Sequence, residues 1–328
     1  MLIAVNYHYV RTEFADPYPS IYGVTPTALQ RQLELLGRVG QFVSAEDVRD
    51  AIGVVRPIPQ NAILVTFDDG LREQFDNAWP VLNLLGIPAV FFVNTHPIIN
   101  NKVSSVHKVH LLRSQIAPDD FTNMLSTEAQ QLGIDLNWNL NGATQKALAQ
   151  YPYDSHKNAK MKFALNVLLP VDQRNLLIDK CFNQVFTGRE AMIACDLYMD
   201  FKQMNRLGHC GCLGTHGHEH LPLAQLPKEK AAKQIELSLS YLEAWSGTRP
   251  FALSYPYGSV EACSEELGCV AGELGISFAL TMERAGNEDL RRPLQLARFD
   301  CNDLPGGSAP KFDLHNLFES VPRALSTN

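Results

Sequence analysis

Ala62-Ile63-Leu64-Val65-Thr66-Phe67-Asp68-Asp69-Gly70 is the stretch whose reading decides the fold of this chain. Its first four residues are apolar and mostly branched, the composition of a short buried strand. The strand stops at two adjacent carboxylates and a glycine. Neighbouring side chains at a strand end point in different directions. Asp68 and Asp69 can therefore take different jobs, one on a metal and one on a proton. Two carboxylates this close resist joint ionisation unless a cation sits between them. An Asp-Gly turn closing an ordinary strand has the same letters, so the flanking sequence has to decide.

On the N-terminal side, Leu2 to Tyr7 reads as a strand running into His8-Tyr9-Val10-Arg11, and the polar, Pro-rich stretch Thr12 to Pro26 reads as a loop. Thr25-Pro26 opens a helix with Leu29, Leu33 and Leu36 on one stripe and Gly40 behind it. On the C-terminal side, Gln74 to Leu85 predicts a helix, with Pro80 a kink or boundary and Gly86 the stop. Pro88 to Val93 is a strand ending at Asn94-Thr95-His96. Strand, helix and strand with short connections point to parallel α/β units.

From about Pro97 to Leu207 there are helical stripes, such as Val106-Val109-His110-Arg113, and no strand pattern. A structureless loop of that size does not suit a compact domain, so a helical insertion within a single domain is expected, serving as a lid or side wall. The α/β rhythm resumes with a strand at Cys210 to Gly214, leading into Thr215-His216-Gly217-His218-Glu219-His220. A helix follows at Pro227 to Trp245. Phe251 to Ser254 is a strand ending in Tyr255-Pro256-Tyr257-Gly258. A helix at Cys263 to Leu274 and strands at Ile276 to Leu280 and Leu294 to Phe299 complete the pattern, before Asp300-Cys301-Asn302-Asp303 and a closing helix after Ala309. About seven strands result, and in a (β/α) barrel their C-termini open on one face, where chemistry is built. His8, Asp68, His216, Tyr257 and Arg298 each fall at a strand end in this reading.

The 328 residues leave room for one large barrel or two domains. A 45% hydrophobic and 19% charged composition is that of an ordinary soluble globular protein. The net charge of -7 argues against a general nucleic-acid binder. No transmembrane segment is expected, since apolar runs such as Pro88 to Val93 are far too short. The opening residues read as a strand rather than a signal peptide. Seven scattered cysteines, an odd number, suit a reducing compartment, and the expected location is cytoplasmic.

His216 and His220 are four apart, so on a helical turn both rings would lie on one face and grip one ion. With one carboxylate of the Asp pair they make a two-His, one-carboxylate set, which leaves positions for water or substrate as a catalytic zinc requires. His218 lies between them and is expected to point elsewhere, toward a neighbouring group or substrate. His209 with Cys210 and Cys212 offers a second metal option, although such a Cys-x-Cys pair on a strand is more often core.

Thr66-Phe67-Asp68-Asp69-Gly70, His216-x-x-x-His220 and Pro256-Tyr257-Gly258 resemble, in combination and in order, three leading motifs of the polysaccharide deacetylases, carbohydrate esterase family four. The resemblance runs from the first strand to about Asp303, outside the insertion, and implies a distorted (β/α)7 barrel. It implies one divalent metal, most simply Zn2+, on Asp69, His216 and His220. It implies Asp68 as the general base toward the attacking water, and the backbone N–H of Tyr257 as an oxyanion donor. A general acid must protonate the departing amine.

Two departures from the family pattern matter. Ser254 stands where the third motif usually has Arg, and Arg298 is the candidate to orient Asp68 in its place. The late Leu-x-His motif has no clear copy, whereas Tyr7-His8 resembles the arrangement of members that carry the acid on the first strand, which makes His8 the expected acid. Asn94, His218 and Asp300 are expected near the site or substrate. The implied substrate is an N-acetylated amino sugar. With a cytoplasmic location this suggests an intermediate of bacterial surface polysaccharide synthesis on a nucleotide or lipid carrier. A non-sugar amide or formamide hydrolase, or a catalytically silent carbohydrate-binding protein, are the alternatives.

Overall fold

The computed structural model describes residues 1–18, 20–136, 138, 142–151, 154–259 and 262–324. They fall into two compact units, one within residues 1–13, 23–102 and 194–328 and one within residues 14–22 and 103–193.

The first unit is built on seven parallel strands: β1 (Leu2–Tyr7), β2 (Ala62–Phe67), β3 (Ala89–Val93), β4 (Leu213–Thr215), β5 (Ala252–Ser254), β6 (Phe278–Leu280) and β7 (Phe299–Asp300). Their spatial order is β7-β1-β2-β3-β4-β5-β6. β1 and β2 pair over six residues, from Leu2 with Ala62 to Tyr7 with Phe67. A parallel bridge from Leu280 of β6 to Leu296, just ahead of β7, joins the two ends of the sheet. A short strand, Gln41–Phe42, lies on the first half of β2, ahead of the point where β3 takes over. This is the curled parallel sheet of a distorted (β/α)7 barrel.

Side chains alternate across each strand, and both faces here are buried, as parallel sheets require. Leu2, Ala4, Ala62, Leu64, Val90, Phe92, Ala252, Phe278 and Leu280 pack together on the inner face. Ile3, Val5, Tyr7, Ile63, Val65, Phe67, Phe91 and Val93 face outward onto helical Leu29, Leu33, Leu36, Leu82 and Leu207. The alternation fixes the site: Asn6 continues the inward set of β1, Thr66 and Asp68 that of β2, and Ser254 that of β5.

Several elements differ from expectation for identifiable reasons. The helix from Gln74 splits into a π turn, Gln74–Ala78, and an α-helix, Trp79–Leu85. Pro80 has no N–H to offer the preceding turn, and Gly86 ends the helix with φ 64°. Cys210 caps the helix Phe201–His209, so β4 starts only at Leu213. The last strand is β7 rather than Leu294 to Phe299, because Pro293–Gln295 forms a 3-10 turn. Tyr9–Val10 and Gly23–Val24 form a separate two-stranded ribbon within the stretches read as a strand exit and a loop. The closing helix is short, Leu317–Ser320, and the last four residues lie outside the described ones.

The second unit is helical. Ser105–Gln115, Pro118–Leu132 and Val171–Val185 enclose buried Leu112, Phe121, Leu125, Leu177, Ile178 and Phe182. Buried Lys108 pairs with Asp179 at 2.5 Å and Glu190 at 2.7 Å. Of the stretch 97–207 expected as an insertion, residues 103–193 make up this unit together with 14–22. Helix Phe201–His209 instead buries Met204 and Leu207 in the core beside β3 and β4.

Candidate functional site

Asp68 follows the inward parity of β2 into the mouth of the barrel and is 3% exposed. Arg298, wholly buried, forks onto it: Nη1 donates to Oδ1 at 2.9 Å and Nη2 to Oδ2 at 2.7 Å. Asn6 Nδ2 donates to Oδ2 at 3.0 Å. Arg298 also donates to Ser254 Oγ at 2.9 Å and to Thr66 Oγ1 at 3.2 Å. The serine at the expected arginine position therefore accepts a hydrogen bond from the arginine that reaches Asp68 from the segment leading into β7. Burial pushes the Asp68 carboxyl up, but Arg298, with help from His216 and His8, outweighs it and holds the group at about 2.

Asp69 departs from strand geometry with φ 79°, next to Gly70 with φ 65°. A side chain at Gly70 would bring its Cβ within 2.9 Å of Val93 Cγ1, so the turn needs glycine. His220 has φ 55° and Tyr257 φ 66°, so three of the five described non-glycine residues with positive φ belong to this site. Such strain is kept where surrounding structure enforces it, often at functional sites.

The turn brings Asp69 Oδ1 to 3.5 Å from His216 Nε2 and 3.3 Å from His220 Nε2. One donor atom from each of the three buried residues lies within 4.8 Å of the others. His216 Nδ1 is 2.7 Å from Ser254 O, which can only accept, so Nδ1 carries a proton. Burial, outweighing the nearby carboxylates, pushes the His216 pKa down to about 4, so near neutral pH the ring is neutral and Nε2 holds a lone pair. That lone pair faces a carboxylate oxygen, an arrangement that repels until a cation stands between them. The donor set fits a divalent metal that binds imidazole and carboxylate together.

The histidine segment is not helical, in contrast to the expected helical turn. Residues 216–220 form a loop turned by Gly217, φ 74°, and His220. The His216 and His220 rings end 5.0 Å apart, and Tyr257 lies 4.9 Å from His220, edge to face. His218 turns to Thr95 Oγ1 at 2.7 Å and stacks on Tyr241. Asn94 Nδ2 donates to His216 O at 2.5 Å, which ties the end of β3 to the loop. Asp300 Oδ1 accepts from Asn302 N at 2.9 Å and caps the turn after β7. His8 directly follows β1, and its backbone O accepts from Gln74 Nε2 at 2.9 Å. His209 bonds Asn205 O, and Cys212 Sγ bonds Cys210 O. Among the described residues, the Asp69 group is the metal-capable cluster. Asn6, absent from the sequence expectations, was visible only as a polar residue at an inward position near a strand end.

A family model described as polysaccharide deacetylase matches residues 56–133 and 192–279, about half of the chain. Poly-beta-1,6-N-acetyl-D-glucosamine N-deacetylase of Escherichia coli (strain K12) is 33% identical over 90 residues, a stretch covering 27% of this chain and only 13% of that protein. Streptococcus pyogenes deacetylase PplD, solved in complex with acetate, superposes with a TM-score of 0.58 at 14% identity, covering 98% of this chain and 97% of that one. The de-N-acetylase from Aggregatibacter actinomycetemcomitans gives a TM-score of 0.54 at 14% identity, with coverages of 94% and 97%. At these identities the superpositions speak to the fold. No described helix is long and apolar enough to cross a membrane.

Proposed function

The chain belongs to the polysaccharide deacetylase family, and from that premise we propose that it is a metal-dependent hydrolase removing the N-acetyl group of an amino sugar. The observation that carries this reading is the pair of adjacent carboxylates sorted to different partners. Asp69 faces two imidazole nitrogens, and Asp68 is locked on a guanidinium.

Asp69, His216 and His220 would hold the metal, with Zn2+ the natural choice for this donor set. Bound there, a divalent cation supplies Lewis acidity toward the amide carbonyl and lowers the pKa of water. Asp68 accepts the proton of the attacking water. A carboxylate held near pKa 2 is a weak base, so it serves only where that water is already acidified. Arg298 and Asn6 keep its oxygens in fixed directions. The backbone N–H of Tyr257, in its strained turn, is assigned to the oxyanion of the tetrahedral intermediate. His8 delivers a proton to the departing amine nitrogen, because an amine is too basic to leave as its anion.

Substrate choice is assigned to the helical unit, inserted in sequence between β3, which ends at Val93, and β4, which leads to His216. The curated relative named above acts, by its name, on poly-beta-1,6-N-acetyl-D-glucosamine, which supports an N-acetylated glucosamine unit as the substrate class. Cysteine usage, seven thiols in all, favours a reducing compartment. The preferred substrate is thus a cytoplasmic, carrier-linked intermediate of surface polysaccharide synthesis.

The test is metal content together with acetate release over a panel of N-acetyl amino-sugar conjugates and small linear amides. One divalent ion per chain and acetate from the sugars alone is the expected result. Turnover confined to small amides would replace the sugar reading, and turnover unaffected by a chelator would remove the metal.

A further inference from the structure

The barrel ladder between β1 and β2 ends where Asp68 N donates to Tyr7 O at 3.1 Å. The next residues, His8 to Arg11, are gripped by side chains of a single turn. Gln74 Nε2 donates to His8 O at 2.9 Å and to Asp68 O at 2.5 Å. Glu73 Oε1 accepts from Val10 N at 2.6 Å, and its other oxygen takes Arg11 Nη2 at 2.7 Å. Asn77 Nδ2 donates to Val10 O at 2.7 Å.

Gln74 to Ala78 is a π turn, closed by Trp79 N donating to Gln74 O five residues back. Such turns are rare and recur at functional sites. Here the turn directs Glu73, Gln74 and Asn77 onto the same neighbouring segment. Gln74 is wholly buried, and its one amide group spans the backbones of the two residues that directly follow β1 and β2. Those two residues are the proposed acid and the proposed base.

We propose that this π turn is the positioning device of the active site, with Gln74 setting the spacing between His8 and Asp68 and Asn77 holding the His8 segment alone. The inference rests on the reading of His8 as acid and Asp68 as base. Gln74 and Asn77 touch neither substrate nor reacting atoms and are positioning residues. Misplacement by about 1 Å can cost on the order of a hundredfold in rate, so the hydrogen bonds should be felt in kcat and not in KM.

Two variants separate the parts. Gln74→Met keeps the length of the side chain and deletes both donors. Asn77→Leu deletes only the bond to Val10. Metal content and thermal unfolding establish that each is folded and loaded. Asn77→Leu should lower kcat on an N-acetyl amino sugar by about tenfold or more and lower it far less on an aryl acetate, whose leaving group needs no acid. Gln74→Met should lower both, because Asp68 moves as well. KM should be unchanged in each.

His8→Ala, run alongside, keeps the two readings apart. If His8→Ala loses amide hydrolysis selectively while Asn77→Leu and Gln74→Met stay within twofold of the parent, the positioning proposal is overturned and the acid stands. If Asn77→Leu is impaired selectively on the amide while His8→Ala is not, the acid reading falls and the hold of the turn on its segment is upheld. Equal losses of amide and ester turnover in Asn77→Leu also overturn the proposal.

Discussion

Arg298→Met is the perturbation to which this site should be most sensitive. The guanidinium is wholly buried and holds both oxygens of Asp68, at 2.9 and 2.7 Å. Methionine preserves much of the volume and removes every donor. Asp68 would then stay buried against Asn6 without its counter-charge. Removing one partner of a buried pair costs about 3–5 kcal/mol. The depression of the Asp68 carboxyl from 3.8 to about 2 is the net of burial and pairing; at roughly 1.4 kcal/mol per unit it corresponds to about 2–3 kcal/mol, a lower bound on what the guanidinium supplies.

The sign follows from linkage. The folded pKa lies below the unfolded one, so this stability is fully present above about pH 4 and is lost as the pH falls through about 2. In the variant, burial is no longer opposed by the guanidinium, the carboxyl pKa rises, and protonation relieves the penalty in acid. In urea unfolding of chelator-treated proteins, the gap between parent and variant should be about 3–5 kcal/mol at about pH 7 and shrink steadily toward about pH 3. Turnover should fall about a hundredfold, since the base loses its orientation. A gap of the same size at both pH values, or turnover within threefold of the parent, refutes the reasoning.

His220→Ala should release the metal while the barrel stays folded, because the ring belongs to the loop after β4 rather than to the apolar core. Metal analysis that still returns one tightly held ion per chain would remove His220 as a ligand. Asp68→Asn should keep the metal and lose on the order of a hundredfold or more in kcat, since a carboxamide cannot accept the proton. Acetate release within twofold of the parent on the preferred sugar would take Asp68 out of that role. In metal-free protein, His216 is depressed from 6.5 to about 4. Its contribution to stability is therefore present above about pH 6.5 and lost as the pH falls through about 4. His216→Gln should flatten that part of the stability profile, as read by unfolding across the range.

The barrel was legible where period and breaker residues agree. β2 matches Ala62–Phe67 as read, because a run with two buried faces is apolar throughout and Asp68-Asp69-Gly70 ends it sharply. Gly86 ends its helix as expected, since glycine takes φ 64° without cost. The edges fail where local chemistry competes. Leu294 to Phe299 has the composition of a strand, yet only Phe299 and Asp300 join the ladder, because Pro293 sets a turn whose following residue, Leu296, makes an isolated bridge. The π turn at Gln74 was equally invisible. Pro80 signals that something must give in the preceding turn but not how the backbone accommodates it.

The site divides along the same line. Residues at a strand end or in a short loop, Asp68, Asp69, His216 and His220, are readable because their spacing is local. Arg298 is separated from Asp68 by 230 positions; it was singled out by an expected place at a strand end and by the departure at Ser254, and it lies instead just ahead of β7, because the strand starts only at Phe299. Asn6, Thr66 and Ser254 are buried polar residues of inward parity at or next to the C-terminal ends of their strands, and burying a polar group is costly unless it is hydrogen-bonded. Asn6 binds Asp68, and both hydroxyls accept from Arg298. A buried guanidinium with that many acceptors waiting for it is held more firmly than a surface arginine would be. The Ser254 hydroxyl thus serves as an acceptor for the guanidinium that Arg298 brings from the segment leading into β7.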